Sequence, residues 1–492
     1  MKNFGGRLFQ RVRHLLKELH TRVHFRFPNL VPDVPENKIF HKEKDAEENQ
    51  ESKVPLEEDL RQAAVWGVEL YGPKEIATLY EGIERLGWAG GRFGIPDSDV
   101  LEWVRRVRRY GHGGSRDLGV VCRPKEKGAG REYFSPMPDS CKYLLISINQ
   151  ITPSLTAVLV YFVLNKETAK IYETILNTDR KTFYKRLKGR SGYSIPGVLN
   201  QKGDMIEKAR LQRADIASSW FAQHLPGMFS GGALINELPT GELIAMNSHV
   251  SFKNTEDDHD RGKGKTWAHL LGVNRRFDGW LHPEHAGFGL ILDERRENKK
   301  YHSIVTLTTS ALPDDLYLFS NGRSWGAYHT FVYGQIKGVA IRLAASNYLS
   351  EIGRRIRDAR ECVGQASRSR VAISQTLNQI EGFYRSAIGD PAIAEEMSGL
   401  DESEFDWDCT KFVSADRDFK DTLELPSALH KMTKRIADGV HAEGSSARQL
   451  FQEVATTLST RESIRAQRRM ETLTILAIVV AGIGVYFGVT GE

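Results

Sequence analysis

Residues 142–164 read KYLLISINQITPSLTAVLVYFVL, and the fold class turns on them. Two runs rich in β-branched and aromatic side chains, 142–149 and 154–164, flank Thr152-Pro153-Ser154, which reads as a turn. Both runs are apolar on both faces, which predicts paired strands covered on either side. LGVVC at 118–122 extends them into an antiparallel meander, and Pro153 argues against a membrane span at this place.

Working outward, AAVWGVELY (63–71) reads as a strand, and Pro73 opens a helix over 74–86. Further helices are expected over 97–110, 166–188 and 202–223, and further strands over 287–294 and 302–310. An α+β body with an antiparallel sheet over 60–330 follows. The chain has 492 residues, 40% of them apolar and 27% charged. That length exceeds what one core organises, and that composition excludes both a many-span channel and a wholly disordered chain. Cys122, Cys141, Cys362 and Cys409 form no ligand-spaced pair, which excludes a disulfide framework or zinc knuckle and fits a reducing compartment.

Beyond Gly334, Leu349, Ile352, Ile356, Ala359, Val363, Ala366, Ile373, Leu377, Ile380 and Tyr384 recur at spacings of three and four, broken only by Arg370. This predicts a helical, coiled-coil-like stem over 331–470, folded as an antiparallel hairpin with a second helix from Ser427 onward. The stem leads into TLTILAIVVAGIGVYFGV, Thr472 to Val489, without a charge. As a helix of about 1.5 Å rise per residue, this run would approach a hydrocarbon core of about 30 Å. Arg461, Arg465, Arg468 and Arg469 precede it, so the positive-inside bias predicts a single-pass, tail-anchored protein whose transmembrane helix spans 471–489 and whose body is cytoplasmic. Ala477, Ala481, Gly484 and Gly488 stack on one face of that helix as a packing surface for self-association.

At the other end, residues 1–31 carry Phe4, Leu8, Val12, Leu15, Leu19 and Val23 on one stripe, with Arg7, Arg11 and Arg22 turned away. This is a basic amphipathic helix, suited to docking or to an anionic membrane surface. Residues 1–30 hold seven Lys and Arg against the single Glu18, whereas 31–60 hold four against ten acids. The charged stretch 32–59 is poor in bulky apolar groups and is expected to be a flexible linker.

RESIRAQRRMETLTILAIVV (461–480) resembles the stalk-to-membrane transition of the CorA family of divalent-cation channels. The resemblance implies a mixed cytosolic domain before a long stalk helix. Where that family carries a Gly-Met-Asn signature, this chain has Gly484-Val485-Tyr486, and no second span follows, so no functional residue is carried over.

Three constellations bear on chemistry. His249, Asp257, Asp258, His259, Asp260, His282 and His285 offer imidazole and carboxylate to a divalent metal, although His282-Pro283-Glu284-His285 lacks the HExxH order. Gly262-Lys263-Gly264-Lys265-Thr266 resembles only the end of a phosphate loop. Basic surface is clearer: Arg180, Lys181, Lys185, Arg186, Lys188 and Arg190 alternate with Phe183, Tyr184 and Tyr193, and Arg105, Arg106, Arg108 and Arg109 lie beside Trp103. No nucleophile signature points to an enzyme, and no cofactor is expected apart from a divalent metal at the His/Asp set. The sequence reading is therefore an oligomeric, membrane-tethered sensor or scaffold. Its alternatives are a CorA-like cation-transport oligomer, a nucleic-acid or anionic-lipid binding module, and a metal-dependent enzyme. The expected partners are the membrane, a second copy of the chain, anionic lipid or nucleic acid, and an unidentified protein.

Overall fold

The computed structural model describes the chain apart from residues 1–11, 14, 25–26, 28–29, 33–34, 90–98, 112, 124–132, 184, 187–192, 232–236, 252–265, 274–278, 293–301, 313–323, 369–377, 379, 382–389, 402–410, 416–422 and 491–492. Side chains are further left undescribed at 35–40, 185–186, 193–194, 364–368, 390–391, 462 and 482–490. The helices are α1 (residues 15–24), α2 (Pro35–Glu51), α3 (Ile76–Arg85), α4 (Val100–Tyr110), α5 (Lys166–Ala169), α6 (Ile171–Asn177), α7 (Val198–His224), α8 (Thr266–Leu271), α9 (Trp325–Arg368), α10 (Asp390–Ser398) and α11 (Leu425–Thr490). The strands are β1 (Arg61–Tyr71), β2 (Gly114–Cys122), β3 (Tyr133–Phe134), β4 (Cys141–Thr152), β5 (Leu155–Leu164), β6 (Lys185–Arg186), β7 (Tyr193–Ser194), β8 (Thr240–Met246), β9 (Gly279–Leu281), β10 (Phe288–Leu292), β11 (His302–Thr308) and β12 (Val413–Ser414).

The chain divides into two compact units, Met1–Ala344 with Asp401–His430, and Ala345–Leu400 with Lys431–Glu492. The first is built on a ten-stranded sheet in the order β12-β9-β10-β11-β8-β1-β5-β4-β2-β3. β2, β4 and β5 form the antiparallel meander read from the sequence. The sheet as a whole is mixed, because β8 runs parallel to β11 and β2 parallel to β3.

Every residue of β5 is buried, and neighbouring residues show why. Phe162 meets Trp220 of α7 edge-on at 5.9 Å, whereas Tyr161 meets His329 of α9 at 5.9 Å. Successive side chains leave a strand on opposite faces, so both layers of helix need apolar residues and the strand reads as a continuous greasy run. Two glycines allow the layers to close. A Cβ on Gly67 would lie 2.9 Å from the Cβ of Ala217 in α7, and one on Gly241 would lie 2.2 Å from the Trp66 indole.

Two expectations for this unit are corrected. Residues 35–51 are not a flexible linker but helix α2. Its inward stripe consists of Asp45, Asn49 and, just beyond its end, Ser52, all buried. These three residues dock through hydrogen bonds, so apolar periodicity could not find them. The helix expected over 166–188 is broken into α5 and α6, which ends where Thr178 turns extended (φ −77°, ψ 122°).

In the second unit, Leu349, Ile352, Ile356 and Val363 of α9 are buried as the stripe requires, as are Ala437, Val440, Ala447 and Phe451 of α11. The helix pair is parallel, not an antiparallel hairpin. Ser346 bonds Thr433 and Gly353 faces Val440, each at a sequence separation of 87, and Arg357 pairs with Glu443 at 86. A constant difference means that both helices advance together. Two parallel neighbours cannot be consecutive in the chain, and the stretch between Arg368 and Leu425 is what carries it back.

The transmembrane helix is also overturned. No helix among the described residues is long and apolar enough to cross a membrane. The described apolar stretch of α11, Thr472 to Ala481, directly follows the exposed Arg468, Arg469 and Glu471. The single-pass, tail-anchored assignment falls with it, as do the membrane localisation inferred from it and the cation-transport reading that needed a span. Ala477 and Ala481 are exposed, and the side-chain positions of Gly484 and Gly488 lie outside the described residues, so their membrane packing face loses its premise.

Candidate functional site

Of the residues expected to bind metal, Asp257, Asp258, His259 and Asp260 lie outside the described residues. His249 sits apart, its ring edge-on to Trp267 at 5.0 Å and its backbone N–H donated to Glu58. His282 and His285 stack at 4.4 Å, but His282 has no nitrogen to offer a metal. Its Nδ1 accepts from the backbone N–H groups of Glu284 and His285 at 3.1 and 3.2 Å, which leaves the proton on Nε2, 3.3 Å from Oε1 of Gln335. Burial, reinforced by His285, pushes the His282 pKa down to about 4, and the imidazole stays neutral. Among the described residues no group of three or more His, Cys, Asp or Glu is placed to hold a metal.

The sequence reading missed the buried charges of the sheet. Glu242 of β8 and Arg210 of α7, both buried, pair at 2.5 Å, and Gln62 and Tyr172 donate to the other carboxylate oxygen. Burial works to raise the Glu242 pKa, but Arg210, His302 and Tyr172 outweigh it and hold the carboxyl well below its usual range. Glu69 of β1 is equally buried and accepts backbone N–H groups from Phe229 and Ser230 at 2.8 Å each and from Leu70 at 3.0 Å. Burial nevertheless raises its pKa to about 7. A single acid inside an apolar strand, as in AAVWGVELY and TGELIAM, was the available signal. With their partners inside the core, these groups stabilise the fold and offer nothing to a substrate.

In the second unit Leu473, Ile475, Leu476, Ile478, Val479 and Val480 of α11 are exposed; in the first, the accessible surface of α1 and α4 is amphipathic and basic. In α1, Leu15, Leu16 and Leu19 are 64%, 61% and 59% exposed, and Val12 and Val23 continue the stripe. Arg13, Lys17 and Arg22 occupy the rest of the helix surface, Arg22 in an exposed pair with Glu18. In α4 the apolar side, Val100, Leu101 and Val104, is buried, so Arg105, Arg106 and Arg109 face outward beside the exposed Tyr110. Asp99 caps its first turn and Gly111, at φ 72°, ends it. Arg105 lies 5.3 Å over the Tyr80 ring and Arg108 is tied to Thr156 and Ser154.

The other basic segment is partly occupied by the chain itself. Asn49 of α2 brackets the backbone of Arg180, accepting from its N–H at 2.9 Å and donating to its C=O at 2.8 Å. Asp45 accepts from the N–H and the hydroxyl of Thr182. The backbone C=O of Lys181 accepts from Gln201. Lys185 and Arg186 are placed on β6 by their backbones, and Lys188 and Arg190 lie outside the described residues. No family model, no curated protein and no solved structure matches the chain.

Proposed function

We propose that this chain is a binding module that adsorbs to anionic lipid surfaces through α1, without crossing them. The observation that carries the reading is the exposed Leu15-Leu16-Leu19 stripe on a basic helix, which leaves apolar surface in water unless something covers it. An anionic bilayer meets both faces of such a helix, its acyl boundary taking the leucines and its headgroups the cations. The arginine face of α4 offers a second headgroup contact in the same unit. A nucleic acid would use the charge of α4 and leave the stripe of α1 uncovered, so the lipid surface accounts for more of the molecule. No catalytic step is assigned.

The scale is adequate. Burying a leucine fully is worth about 1.5–3 kcal/mol, and a cation near an anionic surface about 1 kcal/mol. Half-burial of three leucines with two or three cations gives about 4–7 kcal/mol, enough for reversible adsorption. The test is co-sedimentation of the full chain with phosphatidylcholine vesicles and with phosphatidylcholine–phosphatidylserine vesicles. Binding to the second only, weakened by salt and abolished by Leu16→Glu with Leu19→Glu, is the expected result. Absence from both pellets, or retention on single-stranded RNA instead, would overturn the reading.

A further inference from the structure

α2 holds the body by an unusual means. Among the described side chains the contacts that dock it are polar: Asp45 to Thr182, Asn49 to Arg180, and Ser52, just past its end, whose hydroxyl accepts from Lys202 Nζ at 2.8 Å. Lys53 pairs with Asp179 at 2.9 Å, and among the described side chains from residue 41 onward the first buried apolar anchor is Val54, past the end of the helix. A helix fixed by exchangeable hydrogen bonds can be replaced by any group that offers the same acceptors.

The surface under it is suited to an anion. The N–H groups of Arg180 and Thr182 and the Thr182 hydroxyl point at side-chain oxygens of α2, one of them a carboxylate. The Lys202 ammonium is buried between the Ser52 hydroxyl and the carbonyl of Leu176, and Nε of Arg180 is buried with no hydrogen-bond partner among the described residues. Asp45 thus stands where a phosphate oxygen would stand, and the phosphodiester of a lipid headgroup offers two unbridged oxygens, as the carboxylate does.

We infer that α2 is a displaceable acidic strap, and that a phosphate-bearing lipid headgroup takes the place of Asp45 at Arg180 and Thr182 once the chain lies on an anionic bilayer. The inference rests on the lipid reading of α1. It assigns Arg180 to Thr182 a covered and an uncovered state, with the anionic surface as the agent that uncovers them.

The experiment is hydrogen exchange of residues 41–52 in the full chain, with phosphatidylcholine–phosphatidylserine vesicles and without. Exchange across 41–52 should rise severalfold on binding. Asp45→Ala with Asn49→Ala should bind these vesicles more tightly, by about tenfold if the strap is docked about nine-tenths of the time. Lys181→Glu in that background should cancel the gain. If wild-type protein binds vesicles while protection of 41–52 is unchanged, the strap is a fixed part of the fold and the inference is overturned with the lipid reading intact. If it binds no vesicles, both fall. The exchange measurement needs no variant, so it decides the question even where the double substitution fails to fold.

Discussion

Replacing Glu242 by Gln tests whether the sheet is held by a charge pair in its core. The carboxylate is fully buried and faces Arg210 at 2.5 Å, and Arg210 is only 2% exposed. Gln keeps the volume and an acceptor for Gln62 or Tyr172 but removes the charge that balances the guanidinium. Arg210 would retain Glu207 and the carbonyl of Leu271, so it is not stripped of partners. Removing one member of a buried pair costs about 3–5 kcal/mol, and the remaining partners place this case at the lower end, about 3 kcal/mol. Urea unfolding followed by tryptophan fluorescence reads the right unit, because all eight tryptophans fall within it. Glu242 is held below its usual pKa by Arg210, so its contribution is present above the unfolded pKa and is lost as pH falls below about 4.5 toward the folded value. The wild type should therefore lose stability on acidification in a way that Glu242→Gln does not. Adding Arg210→Met to Glu242→Gln should recover much of the loss, since no uncompensated charge remains. A single variant within about 1 kcal/mol of wild type at pH 7 would refute the claim that this pair anchors β8 to α7.

Three further outcomes follow from the geometry. Glu69 has its pKa raised by burial to about 7, so the folded state holds its proton more tightly; stability is full below about 4.5 and declines through pH 7, by about 3 kcal/mol in all, and Glu69→Gln should flatten that decline in pH-dependent urea titrations. His282 is the opposite case, a neutral buried imidazole with its pKa lowered to about 4; its contribution is lost as pH falls through 6.5 toward 4, and NMR titration of the ring should show no protonation at pH 5.5. In the second unit, Ser346→Cys with Thr433→Cys should form a disulfide on mild oxidation, because the two hydroxyls lie 2.7 Å apart; failure of that pair to cross-link would refute the parallel register.

The sheet was legible because its signal is apolar and continuous. The runs over 142–149 and 154–164 were assigned to strands covered on both sides, and Tyr161 and Phe162 show the two coverings directly. The heptad stripe likewise marked Leu349, Ile352, Ile356 and Val363 of α9, all buried, while Ala359 is half-buried and Ala366, Arg370, Ile373, Leu377 and Tyr384 have side chains outside the described residues. It could not fix direction, since a stripe identifies the seam of a helix and is the same whether the partner runs with it or against it. Only the connection between the helices decides that, and the chain from Arg368 to Leu425 is long enough to return.

The failures share a cause of the opposite kind. Apolar periodicity finds a helix that docks by burying hydrocarbon, and the described inward side chains of α2, from residue 41 onward, are polar. Asp45, Glu48, Asn49 and Ser52 recur at spacings of three, one and three, which is a helical face written in polar residues. A stretch with ten acids and four bases looks like a solvated tether until its partners are known, and those partners lie more than 120 residues away at Asn177, Arg180, Thr182 and Lys202. The same limit hid Glu242, whose balancing guanidinium is 32 residues upstream on another element. Where a charge is buried, the sequence shows the cost at one position and the compensation at another, and only the fold joins them. The exposed leucines of α1 are the reverse: their pattern is plain in the sequence, while among the described residues nothing covers them, and that remaining exposure is what points outward to a lipid surface.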